Sequence, residues 1–287
     1  MTQIKTVGVI GAGQMGGGIA QVAAVAGFDT VVFDAFEGAI GKCQALHNKL
    51  LARAVEKGKM TQTEVDGAKK RLTYAKSIDA LKGADIVIEA VVEDAGVKKD
   101  LFKQVLGLVG KDVILASNTS SISITDLATA VGEASPRFIG MHFFNPVPVM
   151  QLVEVINGLA TSPETTERTI GLAKAMGKTP LPANDRPGFV SNRVLMPMIN
   201  EAFYAWMEGV AKPEDIDGIM KLGCNFPMGP LRLADFIGLD TCVHIMEVLS
   251  EGLNNPRYRA CPLLKQLVTA GRLGDKTGRG VYEYPSK

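Results

Sequence analysis

Short apolar runs alternate with helical stretches over the first 180 residues of the chain. Continuous apolar strands of this kind are typical of a parallel sheet that is covered on both faces. Such a sheet with helices between its strands predicts a doubly wound α/β domain. The strand-like runs are TVGVIGAG, DTVVFD, ADIVIEAVV, DVILASNTS and RFIGMHFF, and the main helical stretches between them are GGGIAQVAAVAG, AIGKCQALHNKLLARAVEKGK and VKKDLFKQVLGLVG.

The pattern changes near residue 185. Proline and glycine mark a joint at Asn184 to Gly188. Beyond it the strand-like runs nearly disappear, and helical patterns cover residues 190–209 and segments from 213 and from 238. The sequence therefore predicts an α/β domain over residues 1–185 and a smaller all-α domain over residues 186–287.

Composition narrows the classes of partner. The chain has 287 residues, 46% hydrophobic and 21% charged, with a net charge of +1. A charge so close to zero gives no broad field that would attract nucleic acid or a membrane surface. The first residues lack the pattern of a signal peptide, and no apolar run reaches transmembrane length. We therefore expect a cytoplasmic protein with neither of these partners.

A glycine motif follows the first apolar run. TVGVIGAGQMGGG contains G-x-G-x-x-G as Gly11, Gly13 and Gly16. The three glycines permit a tight turn, close approach to a pyrophosphate, and close packing of the following helix. Gln14 and Met15 lie within the motif and complete the predicted cofactor-binding loop. The alternative is a glycine-rich turn with a structural role only.

An acidic residue supports the cofactor interpretation. The second strand-like run ends in Asp34, eighteen residues after Gly16. A carboxylate there can accept hydrogen bonds from the adenosine ribose hydroxyls and would repel a 2′-phosphate. No basic residue follows in AFEGA to neutralise that phosphate. The strand, loop, helix and acid together predict a Rossmann-type domain that binds NAD rather than NADP.

The segment FIGMHFFNPVPVMQLVEVI is mostly apolar but contains His142 and Glu154. QLVEVI has the pattern of a strand, so an ionised glutamate buried there needs a partner. Residue 148, the midpoint of the two positions, lies in a proline turn, and doubling back there would place them opposite each other. A carboxylate on one ring nitrogen supports an imidazolium, and the other nitrogen can act as a base. The alternative is an ion pair that only satisfies a buried glutamate.

The other histidines and the cysteines give weaker signals. His47, in the polar-rich helix KCQALHNKLLAR, is interpreted as a surface or half-buried packing residue. His244, in TCVHIMEVL, is interpreted as a helix histidine with satisfied hydrogen bonds. The cysteines contain no CxxC pair, which favours reduced thiols over a disulfide framework or a metal site. They are Cys43, Cys224, Cys242 and Cys261.

Two further polar features lie at predicted element ends. In LASNTSSISI a strand ends in polar residues, and Asn118, Ser120 and Ser121 offer donors where cofactor and substrate should meet. A polar turn with a helix cap at Ser123 or Thr125 is the alternative. In GFVSNRVL, Asn192 opens the helical domain and is interpreted as a cleft residue or a helix cap.

Taken together, these residues resemble those of the short-chain L-3-hydroxyacyl-CoA dehydrogenases, and the resemblance covers essentially the whole chain. It implies an NAD-binding domain followed by a helical domain for substrate closure and dimerisation. The matching stretches are VIGAGQMGGGIAQ, ADIVIEAVVED, ILASNTSS, GMHFFNPVPVMQLVEVI, RPGFVSNRVLMPMINEA, NFPMGPLRLADFIGLD and GDKTGRGVYEY.

The resemblance implies a role for individual residues by their position. His142 looks like the catalytic base, Glu154 its carboxylate partner, and Ser120 the serine near the substrate's 3-oxygen. Asn192 looks like the family's active-site asparagine. The residues implied on the cofactor side are Glu93, Lys98, Ser120, Asn145 and Lys276.

The family's coenzyme A site is implied partly on the helix after Asp34. Lys57 matches a basic position of that site, whereas Leu50 stands where a hydroxyl-bearing residue can occur. Arg53 lies one turn from Lys57 on the same predicted helix face. It is interpreted either as a further substrate contact or as a solvated charge.

The implied reaction is the reversible, NAD-dependent oxidation of (S)-3-hydroxybutyryl-CoA to acetoacetyl-CoA. Two other interpretations stay open on the residues alone: a dehydrogenase of free hydroxy acids, and a redox sensor that binds NADH without turnover. The resemblance also implies a homodimer. One apolar set in the helical domain is predicted to line the dimer interface or to pack only within the monomer: Val194, Leu195, Met196, Met198 and Ile199.

Overall fold

The computed structural model describes residues 4–285, and the chain divides between Asp185 and Arg186 into two compact units. The first unit is built on eight strands. They are β1 (Thr6–Ile10), β2 (Asp29–Phe33), β3 (Leu72–Ala75), β4 (Ile86–Glu89), β5 (Ile114–Ser117), β6 (Phe138–Phe143), β7 (Leu152–Asn157) and β8 (Thr179–Asn184).

The strands form a single sheet in the order β3-β2-β1-β4-β5-β6-β7-β8. Neighbouring strands are parallel except β6 and β7, which are antiparallel. The strand order reverses its direction of progression between β1 and β4, and this is where ligands bind in open α/β sheets. The predicted fold class is therefore confirmed for the first unit.

Six α-helices lie in the described part of this unit. The helices are α1 (Gln14–Val25), α2 (Glu37–Glu56), α3 (Gln62–Arg71), α4 (Ala95–Leu106), α5 (Ile124–Ala128) and α6 (Pro163–Ala175). Capping residues explain where four of them begin. Thr61 and Glu64 form a capping box at the start of α3, and Asp94 and Ser162 cap α4 and α6 with their side chains. Ser123 caps α5, as predicted.

Burial explains which strands the apolar pattern predicts. Every residue of β4, β5 and β6 is buried. Because helices cover both faces of the sheet there, these strands have no polar alternation. The short β3 and the proline-containing β8 (TPLPAN) lack this pattern, so neither is predicted from the sequence. The helices α3 and α6 are not predicted either.

β8 is an edge strand in spite of Pro180 and Pro182. Thr179 and Asp185 direct their backbone N–H groups to carbonyls of the β7 side of the sheet, at Gln151 and Asn157. Residues at odd positions thus bond to β7, and the two prolines occupy positions whose N–H would point outward. Proline is tolerated at such positions because no ladder bond is lost.

The second unit is helical, as predicted. Its helices pack around their own core, in which Met196 and Ile199 are 2% and 1% exposed and against which Leu195 and Met198 pack. Met196 and Ile199 therefore pack within this unit, whereas Val194 is 67% exposed, and the role of the apolar set in a dimer stays a prediction. The helices are α7 (Ser191–Met207), α8 (Pro213–Gly223), α9 (Pro230–Ile237), α10 (Leu239–Gly252) and α11 (Pro262–Thr269). Within residues 4–285, no helix has the length and apolar character needed to cross a membrane.

Candidate active site

His142 and Glu154 face each other on adjacent antiparallel strands. The register of β6 and β7 makes them direct partners, and His142 Nδ1 lies 2.7 Å from Glu154 Oε2. Their side chains are only 10% and 5% exposed. The predicted doubling back at the proline turn therefore occurs. A carboxylate this close fixes the orientation of the ring.

The turn between β6 and β7 is held from two sides. The ammonium of Lys178 donates to the backbone carbonyls of Val147 and Met150. On the other side, helix α1 approaches so closely that a Cβ on Gly18 would lie 2.8 Å from Cβ of Val147. These contacts fix the end of the strand on which His142 lies.

Glu93 organises the polar residues that follow β5. Its Oε1 accepts hydrogen bonds from the Thr119 hydroxyl at 2.5 Å, the Ser120 amide at 2.9 Å and the Ser120 hydroxyl at 3.3 Å. Asn118 bridges to the neighbouring strand, because its Oδ1 accepts from the amide of Phe143. The polar turn is therefore a bonded structure that links the ends of β5 and β6.

Behind Glu93 lies a buried charge cluster. Lys98 is 1% exposed, and its Nζ lies 2.6 Å from Glu89 Oε1 and 3.2 Å from Glu93 Oε2. Glu89, which is fully buried, also accepts from the Val91 amide and the Ser117 hydroxyl. Glu89 and Ser117 are not among the predicted site residues, although a charged residue at the carboxyl end of the apolar strand IVIE is a signal that could have identified Glu89.

The charge on Glu93 is stabilised by its surroundings. Burial alone would raise the pKa of this carboxyl, but the Lys98 ammonium, the Thr119 hydroxyl and the Ser120 amide together lower the pKa below its usual value. Glu93 is therefore an anion at neutral pH. An anion there holds the Ser120 amide and hydroxyl in place.

The glycine loop fits a dinucleotide. Gly11 has a φ of +102°, which favours glycine, and a Cβ on Gly16 would collide with the carbonyl oxygen of Gly11. A Cβ on Gly13 would meet no atom within 4 Å, so the backbone there faces open space. Helix α1 begins next to it without a side-chain cap or an acidic residue in its first turn, from Gln14 and Met15 onward. Uncapped N–H groups at a helix start suit a phosphate.

Asp34 lies at the carboxyl end of β2, beside this loop. Its two carboxylate oxygens accept hydrogen bonds from the amides of Ala12 (2.7 Å) and Phe36 (2.9 Å). The side chain is therefore held next to the glycine loop, in a position that suits contact with a ribose. These residues fit NAD.

A cavity of about 700 Å³ opens between α1, α2, the β6–β7 turn and the end of α6. Its lining includes four cations and, among the lining residues that the structure describes, no acidic side chain. The cations are Arg53, Lys57, Lys59 and Lys178, and the apolar lining includes Val22, Leu50 and Pro148. A cavity of this size with this charge suits an anionic nucleotide.

Three further residues were predicted for the site: Asn145, Asn192 and Lys276. Asn145 is exposed on the β6–β7 turn, before a cis peptide bond to Pro146. Asn192 is in the second unit, 7% exposed and in the first turn of α7, whose N-cap is Val190, so the helix-cap alternative is wrong. Lys276, also in the second unit, pairs with Asp240 at 2.6 Å.

Two histidine interpretations are corrected or refined. His47 is 1% exposed, so the expectation of a surface or half-buried residue is wrong. It was misread because most of its helix is exposed, and its partners are distant in sequence: the carbonyl of Gly17 and the hydroxyl of Tyr74. His244 is exposed on α10.

All four cysteines are free thiols. Burial raises the pKa of Cys43 to about 11, and the nearby Asp34 carboxylate adds to this rise.

Comparison with known proteins identifies the family. Residues 6–186 match the family model for the NAD binding domain of 3-hydroxyacyl-CoA dehydrogenase, and residues 188–284 match its C-terminal domain. A probable 3-hydroxybutyryl-CoA dehydrogenase of Deinococcus radiodurans is 57% identical, over 96% of this chain and 99% of that protein. The 3-hydroxybutyryl-CoA dehydrogenase of Bradyrhizobium diazoefficiens is 51% identical, over 98% and 96%.

A solved structure extends the likeness to three dimensions. The crystal structure of (S)-3-hydroxybutyryl-CoA dehydrogenase from Ralstonia eutropha matches with a TM-score of 0.97 and 52% identity, covering 99% of this chain and 100% of that one. The chain belongs to the 3-hydroxyacyl-CoA dehydrogenase family and is an NAD-dependent oxidoreductase.

Proposed function

We propose that the protein catalyses the reversible oxidation of (S)-3-hydroxybutyryl-CoA to acetoacetyl-CoA, with His142 as the general base. The observation that carries the proposal is the 2.7 Å contact between His142 Nδ1 and Glu154, at the carboxyl end of β6. The names of the similar proteins support a short acyl chain on coenzyme A.

The hydrogen bond at Nδ1 of His142 determines which ring nitrogen is proposed to exchange a proton with the substrate. Because Nδ1 of His142 bonds to Glu154, Nε2 is the atom that takes the proton of the substrate's 3-hydroxyl. Glu154 stabilises the imidazolium that forms. NAD, if held at the glycine loop, would supply the acceptor for the hydride that leaves C3 of the substrate. In the reductive direction, the imidazolium of His142 returns the proton to the oxygen on C3.

Ser120 is proposed to orient that oxygen. Its amide and hydroxyl both bond to Glu93, so its position is fixed before substrate binds. Lys98, buried behind Glu93, is proposed to act on the site through that carboxylate rather than by direct contact. Because a hydroxyl has one hydrogen, that of Ser120 would turn from Glu93 to the substrate oxygen when substrate binds and would there stabilise the developing charge. The contribution of Asn192 to substrate binding stays a prediction.

The cofactor is proposed to lie over the glycine loop. Gly11, Gly13 and Gly16 make room for the pyrophosphate at the start of α1, and Asp34 receives the adenosine ribose. Glu93 is proposed to contact the cofactor from the β4 side. The roles of Asn145 and Lys276 on the cofactor stay predictions, since they rest on the family resemblance alone.

The nucleotide end of coenzyme A is proposed to occupy the cationic cavity. Arg53 and Lys57 lie one turn apart at the end of α2, and both line it. Two cations at this spacing suit phosphate groups, which carry the charge of coenzyme A. This supports a contact role for Arg53 over a solvated helix charge.

Activity assays test the proposal. Oxidation of NADH, followed at 340 nm with acetoacetyl-CoA, should be fast, and NADPH should replace NADH poorly because Asp34 repels its 2′-phosphate. Equal activity on free 3-hydroxybutyrate and on its coenzyme A thioester would favour a dehydrogenase of free hydroxy acids. Binding of NADH without any turnover would favour the redox sensor.

We also propose a cytoplasmic homodimer. Support for an interface comes from apolar side chains on the helical unit, such as Ile219 and Leu222 of α8, which are 62% and 90% exposed. Exposed apolar side chains in a group mark interaction surfaces. Light scattering coupled to size exclusion should give twice the mass of the chain, and a monomer at micromolar concentration would contradict the dimer. The location in the cell stays a prediction.

A further inference from the structure

His47 joins two helices through its ring. Its Nε2 lies 2.8 Å from the carbonyl oxygen of Gly17 in α1, and its Nδ1 lies 2.7 Å from the hydroxyl of Tyr74 in β3. A carbonyl only accepts, so Nε2 carries the hydrogen and donates it. Nδ1 then accepts from the Tyr74 hydroxyl. Both ring nitrogens are thus bonded within the fold.

The ring of His47 is also held in its neutral form. Burial lowers its pKa from the usual value of 6.5. The hydrogen bond to the Gly17 carbonyl raises the pKa, but by less than burial lowers it. The neighbouring thiol of Cys43, at 3.6 Å, is neutral as well, since its pKa is raised to about 11. His47 therefore offers neither a proton nor a nucleophile, and its role is to hold two elements together.

The position of helix α2 depends on the two hydrogen bonds of His47. Among its 20 residues only Cys43, His47 and Leu51 are buried, and His47 is the one that forms hydrogen bonds to other elements at both ring nitrogens. Helix α1, by contrast, buries six of 12 residues and packs directly on the sheet. Loss of the His47 bonds would therefore release α2 more than α1.

The hydrogen bond between His47 and Gly17 lies about one helical turn from residues that line the cationic cavity. On α2, Leu50 and Arg53 line the cavity three and six residues after His47, and on α1, Gln21 lines it four residues after Gly17. One turn of helix is about 5.4 Å. The bond between His47 and Gly17 therefore holds together the two helices, α1 and α2, that both line the cavity.

We infer that His47 is a positioning residue that fixes the width of the α1–α2 cavity and thereby sets the affinity for the nucleotide end of the acyl-CoA substrate, which it does not touch. The inference rests on the proposed function, because it takes the cavity to be the coenzyme A site. Arg53 and Lys57 then bind phosphate from a helix whose position His47 determines.

The test compares two thioesters of the same acid. His47→Leu removes both ring bonds, and the Michaelis constant is measured for acetoacetyl-CoA and for acetoacetyl-pantetheine, which lacks the nucleotide. We expect a rise of about tenfold for acetoacetyl-CoA, as for the loss of a buried hydrogen bond. The constant for acetoacetyl-pantetheine, kcat on both thioesters and the dissociation constant of NADH should stay within about threefold of the wild type.

Three variants make the result specific. In His47→Gln, the side-chain amide reaches the place of Nε2 and can still donate to Gly17, so most of the affinity should return. Tyr74→Phe removes only the second bond and should give a smaller rise; it carries the test if His47→Leu fails to fold. Gly41→Ala lies exposed on the same helix, where a Cβ meets nothing within 4 Å, and should leave every constant unchanged.

Several outcomes would overturn the inference. They are an unchanged constant for acetoacetyl-CoA in folded His47→Leu, an equal rise for both thioesters, and an equal loss of NADH affinity. The last two would show general damage to the first unit. Failure of the proposed function looks different, because the wild type itself would then not reduce acetoacetyl-CoA.

Discussion

Two buried histidines of the first unit have opposite environments. His142 bonds to a carboxylate, Glu154, at the carboxyl end of the sheet. His47 bonds to neutral groups, a carbonyl and a tyrosine hydroxyl, between two helices. An anionic partner supports the imidazolium, whereas neutral partners and burial oppose it. The charge of the partner, more than burial, therefore distinguishes His142, the proposed base, from His47, whose bonds hold two helices together.

The largest expected effect comes from removing the ring of His142. In His142→Gln we expect kcat to fall by about 10²- to 10⁴-fold, since positioned acid-base catalysis contributes that much. Binding of NADH, measured by fluorescence titration, should stay near the wild-type value. A folded variant with near-normal kcat would remove His142 from the role of base.

The carboxylate is tested by Glu154→Gln. The amide keeps the shape but not the charge, so the imidazolium loses its counter-charge, and kcat should fall by about 10- to 10²-fold. Steady-state assays with acetoacetyl-CoA measure this, with NADH affinity as the control. If kcat hardly changed, the pair would be a structural ion pair, and the contrast with His47 would lose its chemical meaning.

The hydrogen bonds of His47 to neutral groups are tested by Tyr74→Phe. Loss of the hydroxyl leaves Nδ1 of the buried His47 without its partner, which should lower the free energy of unfolding by about 1–2 kcal/mol. Urea denaturation followed by circular dichroism gives this value. No loss of stability would mean that water replaces the hydroxyl.

The smallest expected effect concerns pH. His47 has a lowered pKa in the folded state, so below about pH 6.5 the unfolded chain binds a proton that the folded chain does not. Stability should therefore decrease as the pH falls from 7.5 to 5.5, by at most about 1 kcal/mol more in the wild type than in His47→Gln. The thiol of Cys43 stays neutral over this range. Identical pH profiles of urea midpoints would contradict the neutral state of His47.

The sequence predicted the centre of the fold better than its edges. The strands β4, β5 and β6 are buried on both faces, so their composition alone indicates them. β3 is only four residues long, and β8 contains two prolines, which normally argue against a strand. Such edges are defined by pairing with neighbours, which composition does not contain.

The candidate site divides in the same way. His142 and Glu154 are twelve residues apart around a turn, so arithmetic on the sequence is enough to suggest their contact. Glu89 and His47 depend on partners such as Lys98 and the carbonyl of Gly17, which come from other elements. A backbone carbonyl 30 residues away leaves no trace in side-chain pattern, and only the folded structure reveals it.

The two prolines of β8 have a consequence for the behaviour of the protein at high concentration. An exposed strand edge can recruit a strand from another molecule and start aggregation, because its unpaired N–H groups are donors. Pro180 and Pro182 remove such donors on the outward side of β8, while the inward side keeps its bonds to β7. At these two positions the edge therefore offers no donor for intermolecular sheet extension.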